Sequence, residues 1–145
     1  MIYFDTSYLV RLYFEDPGFE AVRELAATDH VTCASHGQAE AIAAFHRKFR
    51  ERAIPLKSYR ALLAQFEADN KAEAIRWLPA GADVMAEIQQ VYRDLPSDAY
   101  LRGADAIHLA AAAVHGQRTV YSNDVLLLAA AVHFGVKGEN VIPRP

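Results

Sequence analysis

At 145 residues, 52% apolar and 23% charged, the chain can bury a proper core and lacks the composition of a disordered or low-complexity segment. Its net charge of −3 argues against broad adhesion to nucleic acid, but suits an acidic metal site, whose carboxylates count as negative until ions bind. The single cysteine, Cys33, rules out an internal disulfide and reads as a small core residue rather than a nucleophile.

The chain opens Met1-Ile2-Tyr3-Phe4-Asp5, an apolar run without a basic leader, which ends at the helix-start cluster Asp5-Thr6-Ser7. Residues 8–14 read as a short helix closed by Asp16-Pro17-Gly18, and 19–27 as an amphipathic one. Residues 31–34 form the second predicted strand. A long helix over 35–52 follows, with Ile42, Phe45 and Phe49 as its apolar stripe. Pro55 suits the first turn of a helix to about residue 70. Residues 75–78 form a third strand, 82–93 a helix, and the segment after Pro96-Ser97-Asp98 a very apolar helix closed at Gly116. A fourth strand at 119–122 precedes a helix over 123–134 with Gly135 as its C-cap. Val141-Ile142 is the candidate last strand. Strands alternating with helices imply an α/β fold with a mainly parallel sheet, without linker or repeat. The uncharged runs 106–117 and 125–136 are shorter than the ~20 residues that span a bilayer. The expectation is a cytoplasmic protein with no membrane association.

Most of the 18 carboxylates are surface material, but three are out of place. Asp5 ends an apolar strand and Asp124 follows another, so both lie at the C-terminal edge of a parallel sheet, where ligands bind in open α/β folds. Each also suits a helix N-cap, and that reading stands beside the first. Asp105 has Leu101, Leu109 and Ala112 at helical spacing, so its face is largely buried. An ionised carboxylate there needs a cation or an ion-pair partner, for which Arg102 is the nearest candidate. Glu40 points almost opposite the Ile42–Phe45–Phe49 stripe, which predicts an exposed side chain. Its place about a turn into the helix after the second strand nevertheless brings it near the edge carrying Asp5.

Four segments, in order along nearly the whole chain, resemble the PIN-domain family, in particular the VapC-type toxins of bacterial toxin–antitoxin pairs. Residues 2–10, Ile2-Tyr3-Phe4-Asp5-Thr6-Ser7-Tyr8-Leu9-Val10, resemble its opening strand with the first acid. Residues 35–44 resemble the helix that carries the glutamate, here Glu40. The most specific stretch is Leu101-Arg102-Gly103-Ala104-Asp105-Ala106-Ile107-His108-Leu109-Ala110, and Tyr121-Ser122-Asn123-Asp124 resembles the strand-end motif. Ser122 stands where threonine is commoner, and Val125 where a charged residue is frequent.

The resemblance implies a three-layer α/β/α sandwich, a single nuclease domain over 1–145, and endonucleolytic hydrolysis of RNA. It places Asp5, Glu40, Asp105 and Asp124 in the catalytic set, with Asp5, Asp105 and Asp124 as metal ligands and Glu40 as a ligand or water-orienting group. Hard oxygen donors without His or Cys favour Mg²⁺ or Mn²⁺. Thr6, Ser7 and Ser122 are candidates to support the acids, though capping explains the first two equally well. Arg11 and Arg102 are candidates for phosphate contact or for surface salt bridges. The implied partners are RNA, a cognate antitoxin and a second copy of the chain. An antitoxin tail is expected to lie on exposed apolar residues of the early helices, among them Leu9, Leu12, Tyr13 and Leu62.

The basic run 46–52 reads as a solvated helix face, with an RNA track as the alternative. His36 and Glu40 are one turn apart, a spacing common by chance. His108 and His115 read as satisfied core or boundary residues. A receiver domain would need an adjacent acidic pair and a late strand-end lysine, and a haloacid-dehalogenase-like phosphatase a second Asp at position 7, which is Ser. The surviving rival is a PIN-like module that binds RNA or a partner with little or no nuclease activity.

Overall fold

Short apolar runs rich in β-branched and aromatic residues become strands covered on both faces. The computed structural model describes residues 1–145. In it β1 (Ile2–Phe4), β2 (Val31–Ala34), β3 (Arg76–Leu78), β4 (Thr119–Tyr121) and β5 (Lys137–Glu139) form one parallel sheet in the order β3-β2-β1-β4-β5.

Strand alternation divides the side chains between two cores. Ile2, Phe4, Val31 and Cys33 pack with α1 (Thr6–Arg11), α2 (Phe19–Ala26), α3 (Gly37–Arg50) and α4 (Leu56–Lys71). Tyr3, Ala34, Leu78 and Val120 pack with α5 (Ala82–Asp94), α6 (Gly103–Val114) and α7 (Val125–Ala130). The result is the expected α/β/α sandwich. The layers are made of different material. On the first side Tyr13, Phe45 and Phe66 meet edge to face, with centroids 5.4–5.6 Å apart. The two buried rings, Phe45 and Phe66, contribute about 1.5–3 kcal/mol each by leaving water. On the second side α6 presents Ala106, Ala110, Ala111 and Ala112, all inaccessible. Side chains this small let a helix sit close to the sheet, which carries the polar residues of α6 up to its edge.

Three expectations need correction. The last strand is Lys137–Glu139, and 141–142 is not a strand. Ile142 is apolar because it packs on Gly18, where an added Cβ would lie 2.3 Å from it. The polar β5 suits a sheet edge, where charged side chains discourage further pairing. Its Gly138 lets α7 cross closely, since a Cβ there would stand 3.0 Å from Leu128 backbone atoms.

The inner face of α3 is Gly37, Ala41 and Phe45, while Ile42 is 43% exposed. Gly37 sets this rotation: a Cβ at that position would meet Cys33 Sγ at 2.5 Å, so only glycine permits the contact. Glu40 therefore flanks the buried face instead of opposing it. Finally, Leu9 is fully buried, and Leu12, Tyr13 and Leu62 are half-buried against the same core, so none is a free apolar surface. No helix is long and apolar enough to cross a membrane.

Candidate active site

From β1 the sheet extends through β2 to β3 on one side and through β4 to β5 on the other, so the topological switch lies between β1 and β4. Connections diverge there and leave a crevice beyond the strand ends. Asp5 immediately follows β1, and Asp124 closes the short turn after β4.

Both aspartates cap helices, as their residue type allows. Asp5 Oδ1 accepts from the Tyr8 N–H at 3.2 Å, and Asp124 Oδ1 from those of Leu126 and Leu127 at 2.9 and 3.3 Å. Capping and site geometry coexist, because each cap uses Oδ1 and leaves Oδ2 for other partners. Ser122 Oγ donates to Asp5 Oδ2 at 2.5 Å and accepts from the Asp124 N–H at 2.9 Å. Ser7 Oγ donates to Asp5 Oδ1 at 2.6 Å and accepts from the Asn123 N–H at 3.0 Å. The two strand ends are thus sewn together by two hydroxyls.

Asp5 is buried, and burial pushes its carboxyl above the usual range, against the opposing pull of His108, Ser122, Ser7 and the Tyr8 amide. Such a group favours a proton or a nearby cation.

Asp105 stands in the first turn of α6 with its side chain 14% exposed. Arg102, just before that helix and 62% exposed, bridges two acids. Its Nε lies 3.2 Å from Asp105 Oδ2 and its Nη2 3.3 Å from Asp124 Oδ2. A guanidinium thus already occupies the space between these carboxylates. Their donors are all hard oxygens, so the residues present fit Mg²⁺ or Mn²⁺.

Glu40 approaches from α3, in the opposite layer to α6. Its Oε1 accepts from Thr6 Oγ1 at 2.8 Å and from His108 Nε2 at 2.7 Å. Burial alone would raise Glu40, but these bonds outweigh it and hold the carboxyl below its ordinary value. His108 is buried; its Nδ1 meets the Tyr3 hydroxyl at 2.8 Å, and that hydroxyl accepts the Ala34 N–H at 3.0 Å. Burial opposes a charge on His108. The Cys33 sulfur and the Glu40 carboxylate outweigh it, and the imidazole pKa is pushed up to about 10. Burial likewise pushes the Cys33 thiol up, against the opposing pull of His108.

The four acids are therefore linked: Asp5 to Asp124 through Ser122, Asp124 to Asp105 through Arg102, and Glu40 to the Asp5 strand end through Thr6. Arg11 serves elsewhere, donating to Ser7 O at 2.7 Å and Pro17 O at 3.0 Å, and so ties α1 to the following turn. His108 is the core residue its neighbours suggest, and it is also the partner of Glu40. One signal pointed to that second role: it lies three residues after Asp105, on the same helix face. Nothing in the sequence marked Tyr3. Next to Thr6 and Ser7 a cleft of ≈ 320 Å³ opens between α1 and α3, lined by Arg47 and Lys48.

Residues 2–132 match the family model described as PIN domain. No curated protein sequence gives a significant match. Among solved structures the chain is similar to VapC20 of Mycobacterium tuberculosis, a sarcin-ricin loop cleaving toxin, at 21% identity and TM-score 0.66, covering 90% of this chain and 95% of that one. It is similar to VapBC2 from Rickettsia felis bound to a fragment of promoter DNA, at 16% identity and TM-score 0.66, covering 97% and 98%. FitAB bound to the IR36 DNA fragment gives 20% identity and TM-score 0.72, covering 100% and 98%. At these identities the structural likeness is one of fold.

Proposed function

Because the chain belongs to the PIN-domain family, we propose that it is a divalent-metal-dependent endoribonuclease, the toxin of a bacterial type II toxin–antitoxin pair. What supports this reading is the chain of contacts at the switch-point edge: Ser122 joins Asp5 to Asp124, Arg102 joins Asp124 to Asp105, and Thr6 joins Glu40 to the same strand end. The whole chain, 1–145, acts as one nuclease domain in the cytoplasm.

Asp5, Asp105 and Asp124 would hold Mg²⁺ or Mn²⁺. Such an ion, when bound, lowers the pKa of water and neutralises charge on the transferring phosphoryl group. Ser7 and Ser122 keep the Asp5 carboxylate oriented for that task. Glu40, kept ionised by His108 and Thr6, orients the attacking water. Arg102, exposed and paired with Asp105 and Asp124, can exchange them for the scissile phosphate. RNA reaches the site along the α1–α3 cleft, where Arg47 and Lys48 can leave Glu51 and Asp16 for backbone phosphates.

The VapBC2 and FitAB neighbours are toxin–antitoxin assemblies, which supports an antitoxin as a further partner. A basic side chain of that partner can take the place that Arg102 now holds. A homodimer is the expected assembly, to be read by sedimentation.

The test is incubation of metal-stripped protein with total RNA, with and without Mg²⁺ or Mn²⁺, alongside Asp105→Asn. Discrete metal-dependent fragments from the wild type alone support the nuclease. Tight RNA binding without cleavage, from folded and antitoxin-free protein, establishes the binding module instead.

A further inference from the structure

Beside the aspartates lies a cluster of a different chemical kind. His36, at the N-terminal end of α3, Glu40 one turn along it and His108 of α6 bring three ligand atoms within 4.8 Å of one another. Glu40 Oε1 is 2.7 Å from His108 Nε2 and 3.3 Å from His36 Nε2. The i, i+4 spacing puts His36 and Glu40 on one helix face, and the opposite layer supplies the third group. The two imidazoles lie 4.2 Å apart.

Two features go beyond an ordinary ion pair. First, His108 is braced from behind by the Tyr3 hydroxyl, which the Ala34 amide fixes in turn. That is the outer-sphere support that orients a metal-bound histidine. Second, His36 is under-used. Its Nδ1 is buried without a hydrogen-bond partner, its Nε2 reaches only the Ala104 carbonyl beside Glu40, and the side chain makes no cap bond to its own helix. An ion-pair role for Glu40 and His108 leaves the placement of this second imidazole unexplained.

We infer that His36, Glu40 and His108 form a site for one borderline transition-metal ion of the Zn²⁺, Co²⁺ or Ni²⁺ type, separate from the hard-oxygen site of the aspartates. Two imidazole nitrogens and one carboxylate oxygen suit such ions and disfavour Mg²⁺, and three protein ligands leave a coordination position open. The functional consequence, which rests on the nuclease reading above, follows from the shared ligand. An ion held here takes Glu40 away from the attacking water, so Zn²⁺ inhibits Mg²⁺-dependent cleavage.

Co²⁺ is the probe, because the intensity and position of its visible d–d absorption report coordination number and ligand field. Titration into metal-stripped protein, with Mg²⁺ in excess to fill the aspartate site, is expected to show one bound Co²⁺ that Zn²⁺ displaces. His36→Ala removes a ligand at a helix end outside the core and is expected to weaken Co²⁺ at least about tenfold. His108→Gln is expected to do the same, with circular dichroism to show that each variant is folded. Unchanged affinity in folded His36→Ala overturns the proposal. So does a spectrum lost in Asp124→Asn and kept in His36→Ala, or the absence of any bands at millimolar Co²⁺. None of these readouts uses RNA, so the metal site and the nuclease reading fail independently.

Discussion

The two halves of the site meet the cost of buried charge in opposite ways. At the β1–β4 switch point, Asp5 and Asp124 are held by helix caps and hydroxyls, and the exposed Arg102 pairs with Asp105 and Asp124. Between α3 and α6, Glu40 is matched by His108, which is itself buried and braced by Tyr3. The aspartate half carries more negative charge than its own residues neutralise, and so calls for a cation from outside. The imidazole half brings its own. An unpaired buried charge is costly, whereas a hydrogen-bonded pair is tolerated, so in the metal-free protein the second half is held more firmly than the first.

Substitutions test that division, with the largest effect expected in the aspartate half. Asp105→Asn should lower Mg²⁺-dependent RNA cleavage roughly 100- to 10,000-fold while leaving the thermal midpoint near that of the wild type. A loss of folding in its place would show Asp105 to be structural. Ser122→Ala removes the donor to Asp5 Oδ2 and the acceptor for the Asp124 amide. It should cost about 1–3 kcal/mol in urea unfolding. In the imidazole half, Tyr3→Phe strips the hydroxyl from both His108 and the Ala34 amide, and a loss of about 1–2 kcal/mol is expected. A loss confined to activity would reverse the roles of the two halves.

The pH dependence of the metal-free protein separates the halves further. His108 is raised from 6.5 to about 10. Its contribution to stability is therefore full below 6.5 and is lost as pH rises through about 10. Asp5 is also raised, by burial, so its contribution is present in acid and is lost as pH rises through its folded value. Mg²⁺ should restore that loss above the folded value and do little below it, where Asp5 keeps its proton. Thermal midpoints at several pH values, with and without Mg²⁺, check both signs, and His108→Gln should flatten the alkaline limb alone. The smallest expected effect is that of Arg102→Ala. Removing an exposed competitor should tighten Mg²⁺ by about a few-fold, as suits an ion pair worth up to about 1 kcal/mol. Weaker Mg²⁺ binding would show that Arg102 helps to assemble the site.

Much of this was legible from local pattern. Apolar runs ending in Asp placed Asp5 and Asp124 at strand ends, and a carboxylate inside an otherwise apolar helix singled out Asp105. Such signals survive folding because strand alternation, helix caps and the cost of burying a charge act over a few residues. Glu40 shows where local pattern fails. The large side chains of α3 pointed its apolar face toward Ile42, Phe45 and Phe49, whereas the buried face is Gly37, Ala41 and Phe45. Periodicity weighs residues by hydrophobicity, but close packing against Cys33 and Trp77 selected the smallest one. The last strand failed for a related reason, since Lys137-Gly138-Glu139 pairs through its backbone at a sheet edge and needs no apolar side chains.

The sequence by itself determined the alternation of strands and helices, the parallel sheet and the three aspartates, because each depends on the chemistry of near neighbours in the chain. Only the tertiary structure decided that Arg102 would bridge two of them. Only it set His108 and His36 around Glu40, from helices in opposite layers, and put Tyr3 behind His108. Those contacts join residues up to 105 positions apart. They depend on how far each helix is rotated and how closely it lies on the sheet, and small side chains at Gly37 and along α6 set both.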